Sequence, residues 1–177
     1  IICGHVKTDD GEIKSIKSNR IKELLEVLEE TNGKVIIWAV YRYDIQEIER
    51  TLGEKYGKES VATYYGDTKD NLRQSIVDRF MDADDPLRFF VGNPKTGGYG
   101  LTLTSSHTVV YYSNDYSLEV RLQSEDRAHR IGQTNKVTYV DLMADHTIDE
   151  KIVKALNAKI DLASQVMGED PKKILFG

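Results

Sequence analysis

The stretch Val35-Ile36-Ile37-Trp38-Ala39-Val40 consists entirely of apolar residues, most of them β-branched or aromatic. A short apolar run of this composition predicts a strand that is buried on both faces of a sheet. Directly after it, Ile45, Ile48 and Leu52 follow the spacing of an amphipathic helix, which we expect to end near Gly53. The segment therefore predicts a strand followed by a helix, the repeating unit of a parallel α/β sheet.

The same alternation continues on both sides of this segment. An apolar helical face over residues 21–28 precedes it and is expected to stop at Asn32-Gly33. Downstream, strand-like runs alternate with helical patterns, and Ser117 is placed to cap the second of these helices. Residues 147–150 form a capping-box pattern at the start of a long final helix. The short connections predict an α/β fold with a mostly parallel sheet and helices on both faces.

Bulk composition limits the class of protein. The 177 residues suit one domain, and no apolar stretch is long enough to span a membrane. Cys3 is the single cysteine, which predicts an intracellular location, in the cytoplasm or in a nucleus. The chain begins at Ile1 rather than methionine, so we expect it to be part of a longer protein.

Charge and histidine spacing narrow the expected ligands. A net charge of -5 argues against a protein that coats nucleic acid through a broad basic face, although a local phosphate-binding strip is compatible with it. The four histidines do not follow the spacing of metal ligands, so we expect no metal site.

Residues 123–133 read Gln-Ser-Glu-Asp-Arg-Ala-His-Arg-Ile-Gly-Gln. In a continuous helix, Gln123, Arg127 and Arg130 would lie within an arc of roughly 60 degrees. Two planar guanidinium groups on one side suit the oxygens of a phosphate chain. The spacing alone favours a solvated helix with ion pairs, because Asp126 and Arg130 stand four residues apart.

A glycine-rich segment, Pro94-Lys95-Thr96-Gly97-Gly98-Tyr99-Gly100, follows the predicted strand at residues 87–91. Loops at the carboxyl ends of parallel strands are where ligands gather, and glycines let a phosphate approach the backbone closely. By itself, this pattern favours an ordinary glycine-rich turn, and the following Leu101-Thr102-Leu103 strengthens the indication of a binding loop.

Both segments resemble motifs of the Swi/Snf-like ATPases, a branch of the superfamily-two helicases and translocases. Every fixed position of the last motif of that family, Gln-x-x-Asp-Arg-x-His-Arg-Ile-Gly-Gln, is present in residues 123–133. The glycine-rich segment is similar to the fifth motif but departs from it at Pro94, Thr96 and Thr102. The resemblance extends over about residues 15–154.

The resemblance implies the second of two RecA-like lobes, a single three-layer domain over residues 15–146. Residues 1–14 would be an extension or linker, and residues 147–177 a helix packed on the lobe. By this comparison, Arg127 and Arg130 are arginine fingers. The ATP cleft would contain Gln123, Gly98, Gly100 and Asp126. The contacts to nucleic acid would come from Lys95, Thr96, Gly97 and Arg42, although Arg42 equally suits an exposed ion pair.

The sequence lacks the phosphate-binding pattern G-x-x-x-x-G-K-[ST]. Together with the resemblance, this predicts half of an ATPase site, which an N-terminal RecA-like lobe would complete. ATP and Mg²⁺ would serve the full-length protein, and this lobe alone would bind neither tightly. The expected track is nucleic acid, in particular double-stranded DNA, and no membrane partner is expected. Asp149-Glu150 belongs to the capping box and is expected to be structural.

Two other classes fit parts of the sequence. A stand-alone binding or regulatory module with the same fold would explain the acidic balance and the long terminal helix. A nucleotide-binding half of a dehydrogenase fits poorly, because no G-x-G-x-x-G joins the first strand to its helix.

Overall fold

Five parallel strands form the main sheet in the computed structural model of the chain. The residues described are 5–7, 13–15, 18–96, 101–130, 133 and 135–167. A separate antiparallel pair comes first, β1 (His5–Lys7) with β2 (Ile13–Ser15). The main sheet contains β3 (Lys34–Trp38), β4 (Val61–Tyr64), β5 (Phe89–Gly92), β6 (Ser106–Tyr111) and β7 (Thr138–Asp141).

The strand order in the main sheet is β4-β5-β3-β6-β7, and every neighbouring pair is parallel. The helices are α1 (Arg20–Glu29), α2 (Arg42–Tyr56), α3 (Asp70–Met81), α4 (Leu118–Asp126) and α5 (Ile148–Met167). This arrangement confirms the predicted α/β class with a mostly parallel sheet.

Both faces of the sheet are covered because side chains of β3 alternate between two apolar clusters. On one face, α1 and α2 pack against Val35 and Ile37. On the other, Ile36 and Trp38 pack with Phe80 of α3. All five side chains are buried completely, as expected for a central strand between two layers of helices.

The predicted end of α2 is wrong by about one turn. The helix continues past Gly53 to Tyr56 and stops at Gly57, whose φ is 96 degrees. Glycine adopts this left-handed backbone conformation without a steric penalty, so the helix ends where such a residue is available. Gly53 has an ordinary place inside the helix.

The start of α5 is fixed to the rest of the domain by a buried ion pair. Asp149 lies in the first turn of α5 and pairs with Arg20, the first residue of α1. The same carboxylate accepts a hydrogen bond from the Ala144 backbone N–H at 3.2 Å. Asp149 therefore has a structural role in the lobe, through an ion pair that the capping-box pattern does not predict. In the described part of the chain, no helix has the length and apolar character that crossing a bilayer requires.

Candidate functional site

The loops after β3, β4, β5 and β6 lie at one edge of the sheet, because all these strands are parallel. Hydrogen bonds connect three of them. The Asn93 side chain donates to the Val40 carbonyl at 2.8 Å, and the Val40 N–H donates to the Ser113 hydroxyl at 2.9 Å. The residues after β3 are thus hydrogen-bonded to the loops after β5 and β6, the two neighbouring strands. We call this edge of the sheet, where the strands end, the carboxyl edge.

Lys95 lies at this edge and forms an ion pair with a residue of another loop. Its Nζ lies 2.6 Å from Oδ2 of Asp115, in the turn between β6 and α4, and its side chain is 56% exposed. The hydrogen bond from Lys95 lowers the pKa of the Asp115 carboxyl. Thr96 belongs to the same turn as Lys95, directly after β5, since its N–H donates to the Asn93 carbonyl at 3.0 Å. The structure therefore places Lys95 and Thr96 on the carboxyl edge, while Gly97, Gly98 and Gly100 lie outside the described residues.

Arg42 begins α2 at the same edge and pairs with Asp67 in the loop after β4. Both side chains are largely exposed. This is the exposed ion pair that the sequence leaves open as an alternative. A contact of Arg42 with nucleic acid remains a prediction.

The arginine motif begins in α4, as predicted, and the Ser117 hydroxyl caps that helix by accepting the Val120 N–H at 3.3 Å. The expectation that one continuous helix carries Gln123, Arg127 and Arg130 is wrong. The helix ends at Asp126, and a turn contains the following residues to Arg130.

Tertiary hydrogen bonds explain why the helix ends there. The Arg127 carbonyl accepts the N–H of Leu103 at 2.9 Å, and the Ala128 carbonyl accepts the side-chain N–H of Gln133 at 3.2 Å. These carbonyls are satisfied from outside the helix, so the next helical turn is not needed to satisfy them. Gln133 also donates to the carbonyls of Thr104 and Ser106, at 3.1 and 3.0 Å.

The two motif arginines differ in exposure. Arg127 is buried to 6% exposure, whereas Arg130 is exposed. Burial lowers the pKa of the Arg127 guanidinium, Asp126 opposes that shift, and the positive charge of Arg130 lowers it further. Arg130 lies 4.0 Å from the Asp126 carboxylate and 3.4 Å from the Thr102 hydroxyl. The two cations are thus close enough to repel each other, with Asp126 as an acidic neighbour of both.

Gln123 lies within α4, whereas the two arginines lie beyond its end. The Gln123 side-chain amide donates to the Glu119 carboxylate one turn earlier at 3.0 Å. This contact is local to the helix, so the place of Gln123 in the ATP cleft stays a prediction.

Arg121 is a feature that the sequence prediction missed. It donates to Glu125 at 2.6 Å, to Asp141 at 2.5 Å and to Asn114 at 2.9 Å, and it stacks 3.5 Å from the Tyr111 ring centroid. Burial opposes its charge, but the hydrogen bonds with Asp141 and Glu125 outweigh burial and raise the Arg121 pKa. The four-residue spacing to Glu125 is readable in the sequence, whereas the pairing with Asp141 depends on the fold. Arg121 ties α4 to β6 and β7.

A groove of about 530 Å³ lies beside this network, between α4, β7 and α5. Its polar wall contains Arg121 and Glu125, and its apolar wall contains Val153, Leu156 and Ile160 of α5. Ile152 and Leu156 are buried where α5 packs on the lobe, and the groove leaves space beside the polar residues.

One acidic group in the described part of the chain has ligand atoms close enough for a metal ion. Asp145, His146 and Glu150 offer such atoms within 4.8 Å of one another, in the turn before α5 and in its first turn. Asp145 and His146 are exposed, and Glu150 already accepts the His146 N–H at 2.9 Å. Exposed acidic groups of this kind are common without an ion, so we assign no metal to this one.

Comparison with known proteins supports the architecture. The crystal structure of the C-terminal part of the Fun30 ATPase domain is similar with a TM-score of 0.71 and 27% sequence identity. The match covers 79% of this chain and 46% of that one. The parallel sheet between helices is therefore a RecA-like fold of the type found in ATPase lobes.

Residues 17–132 match the helicase conserved C-terminal domain. The chain is 33% identical over 168 residues to the ATP-dependent helicase fft2 of Schizosaccharomyces pombe, covering 94% of this chain and 13% of that protein. Helicase SWR1 of Saccharomyces cerevisiae is 30% identical over 153 residues, covering 86% and 10%. Protein CHROMATIN REMODELING 19 of Arabidopsis thaliana is 30% identical over 180 residues, covering 95% and 23%.

The chain belongs to the helicase C-terminal domain family, in its Swi/Snf-like branch. It spans less than a quarter of the length of these three relatives.

Proposed function

We propose that this chain is the arginine-bearing half of an ATP site that an N-terminal RecA-like lobe of the same protein completes. In the full-length protein, the two lobes would couple ATP hydrolysis to movement along nucleic acid. The observation that carries this proposal is the placement of Arg127 beside Arg130, one buried and one exposed.

The electrostatics of this pair favours an anionic ligand. The exposed guanidinium of Arg130 can contact a phosphate chain, and the charge of the phosphate would also offset the repulsion between Arg130 and the buried Arg127. Guanidinium groups also match the geometry of phosphate oxygens through paired hydrogen bonds. The donor set of this turn therefore fits the charge that develops on a transferred phosphoryl group.

The remaining parts of the site are proposed to come from the other lobe. The sequence of this chain has no G-x-x-x-x-G-K-[ST] pattern to cradle the phosphates. Asp126 lies next to the arginines, and we propose that it orients Arg130 rather than holding Mg²⁺. ATP, when bound, supplies the phosphoryl group, and this chain contributes positive charge at its oxygens.

The carboxyl edge of the sheet, where Lys95 and Arg42 lie, is proposed to contact the nucleic-acid backbone. Lys95 and Arg42 are both largely exposed there, and each is paired with a carboxylate from a neighbouring loop. Exposed ion pairs are weak, so a phosphodiester can replace such a partner. Duplex DNA is the favoured track, because the relatives are named as helicases and one of them as a chromatin remodelling protein.

The isolated chain tests the shared-site proposal. Mixed with ATP, Mg²⁺ and duplex DNA, it is expected to release no phosphate above background, because half of the site is missing. Turnover that copurifies with the intact chain, and disappears in the Arg130→Ala chain prepared in the same way, would contradict the proposal.

The full-length protein tests the track. Its ATP hydrolysis is expected to rise more with duplex DNA than with single-stranded DNA or RNA of the same sequence. Lys95→Gln should reduce the apparent affinity for duplex DNA, while the exposed control Lys22→Gln on α1 should leave it unchanged. Equal stimulation by all three nucleic acids would contradict the preference for duplex DNA.

A further inference from the structure

Gln133 connects the turn that contains the motif arginines to the chain at the start of β6. Its side-chain amide donates to the Ala128 carbonyl of the turn at 3.2 Å, and to the carbonyls of Thr104 and Ser106 at 3.1 and 3.0 Å. An amide has two N–H groups, so the three carbonyls share them. The backbone N–H of Gln133 also donates to the Arg130 carbonyl at 2.9 Å. One residue therefore contacts the turn at two points, Ala128 and Arg130.

The residues whose carbonyls accept the Gln133 amide are mostly buried. Ala128 is buried completely, in the apolar cluster that also contains Trp38 and Leu103. Ser106 is buried completely at the start of β6. A buried carbonyl without a hydrogen-bond partner costs free energy, so these acceptors favour one position of the amide, between the turn and β6.

The position of the motif arginines depends on contacts beyond the end of α4. Arg121 holds the body of that helix through Glu125 and Asp141, but the helix ends at Asp126. The Arg130 side chain has only long contacts in the described part of the chain, with the Thr102 hydroxyl at 3.4 Å and the Asp126 carboxylate at 4.0 Å. The backbone contacts that Gln133 makes with the turn are shorter and therefore restrain it more.

We propose that Gln133 is a positioning residue for ATP hydrolysis, which holds Arg127 and Arg130 where they can meet the oxygens of the transferring phosphoryl group. Gln133 acts through the backbone of the turn and does not itself contact ATP. Misplacement of a charged group by about 1 Å can reduce a reaction rate about a hundredfold. This inference rests on the proposed function, because it requires the two arginines to act on ATP.

The test uses the full-length protein with Gln133→Met, which keeps the approximate size of the side chain and removes both N–H donors. The kcat of ATP hydrolysis at saturating duplex DNA should fall about tenfold to a hundredfold. The KM for ATP and the affinity for duplex DNA should change by less than about twofold, because the loss concerns the transition state. Steady-state phosphate release and fluorescence anisotropy measure these quantities.

The matched control is Gln74→Met, the same substitution at an exposed glutamine of α3 whose amide donates to Asp78 at 2.8 Å. It should leave kcat, KM and DNA affinity unchanged. Gln133→Asn keeps an amide on a side chain that is one methylene shorter, so it should lose kcat to a smaller extent than Gln133→Met. If Gln133→Met does not fold, Gln133→Asn provides the same comparison with the control.

A double variant separates positioning from a general loss of structure. In the Arg130→Ala protein, adding Gln133→Met should reduce kcat by no more than about threefold, because a group that Gln133 positions is already missing. A merely structural Gln133 would cost the same factor with and without Arg130, and would lower DNA affinity together with kcat. Either of these results, or a kcat equal to that of the Gln74→Met control, would overturn the inference.

Arg130→Ala alone separates this inference from the proposed function. If Arg130→Ala abolishes hydrolysis and Gln133→Met behaves like the control, only the positioning role of Gln133 fails. If Arg130→Ala hydrolyses ATP normally, the proposed function itself fails.

Discussion

Arg121 and Arg127 belong to the same stretch of chain, less than two helical turns apart, yet their surroundings shift their pKa values in different directions. Arg121 lies between the carboxylates of Glu125 and Asp141, and these hydrogen bonds raise its pKa despite burial. Burial lowers the pKa of Arg127, the Asp126 carboxylate opposes that shift, and the nearby charge of Arg130 adds to it. The comparison separates an arginine that stabilises the lobe from one whose charge is disfavoured by its surroundings in the lobe.

The largest expected effect is the loss of ATP hydrolysis when Arg127 is replaced. In the full-length protein, Arg127→Ala should reduce DNA-stimulated ATP hydrolysis on the order of a thousandfold, as removal of an arginine finger does. Steady-state phosphate release at saturating ATP and DNA measures it. Arg50→Ala, an exposed arginine on α2, is the control and should retain full activity. Near-normal turnover of Arg127→Ala would contradict a role of Arg127 in ATP hydrolysis.

Replacement of Arg121 should reduce the stability of the fold. Arg121→Met should lower the free energy of unfolding of this chain by about 3 kcal/mol, because it leaves two poorly exposed carboxylates without their cation. Urea denaturation followed by circular dichroism measures the change. Arg50→Met should stay within about 0.5 kcal/mol of the parent chain. A similar small change for Arg121→Met would show that its network contributes little.

Removal of the N-terminal cap of α4 should have a smaller effect on stability. Ser117→Ala removes the acceptor of the Val120 N–H and should cost about 1 kcal/mol in the same denaturation experiment. Ser117→Asp supplies another acceptor and should recover most of the loss. If Ser117→Asp is as destabilising as Ser117→Ala, the hydroxyl does not act through capping.

The smallest effect concerns pH. Lys95 lowers the pKa of Asp115 in the folded chain, so this carboxylate stabilises the fold above its unfolded pKa of about 4. That contribution is lost as the pH falls below about 4 and through the folded pKa. Because Lys95 is largely exposed, it should stay under about 1 kcal/mol. Denaturation at pH 6 and pH 3 should show less pH dependence in Asp115→Asn than in the parent chain. Equal pH dependence would contradict the pairing.

Local signals predicted much of the fold. The apolar run around β3, the spacing of Leu24 and Leu28 in α1, and the capping hydroxyl of Ser117 all depend on neighbours within a few residues. The alternation of strands and helices then predicts the parallel sheet, which the structure confirms.

Contacts between distant residues limited the prediction of the site. The sequence motif suggests one helix through Arg130, but the contact between Leu103 and the Arg127 carbonyl belongs to another part of the chain and ends the helix early. Likewise, the pairing of Lys95 with Asp115 arises because the loops after β5 and β6 meet at one sheet edge. Periodicity contains no information about such pairs.

A double-mutant cycle in the full-length protein tests most directly whether the two motif arginines act together on ATP. Arg127→Ala, Arg130→Ala and the double variant are compared by kcat at saturating DNA and by affinity for ATP. If both arginines stabilise one transferring phosphoryl group, each single variant should lose about a thousandfold in kcat, and the double variant should lose little more. Hydrolysis near the normal rate in both single variants would contradict the account.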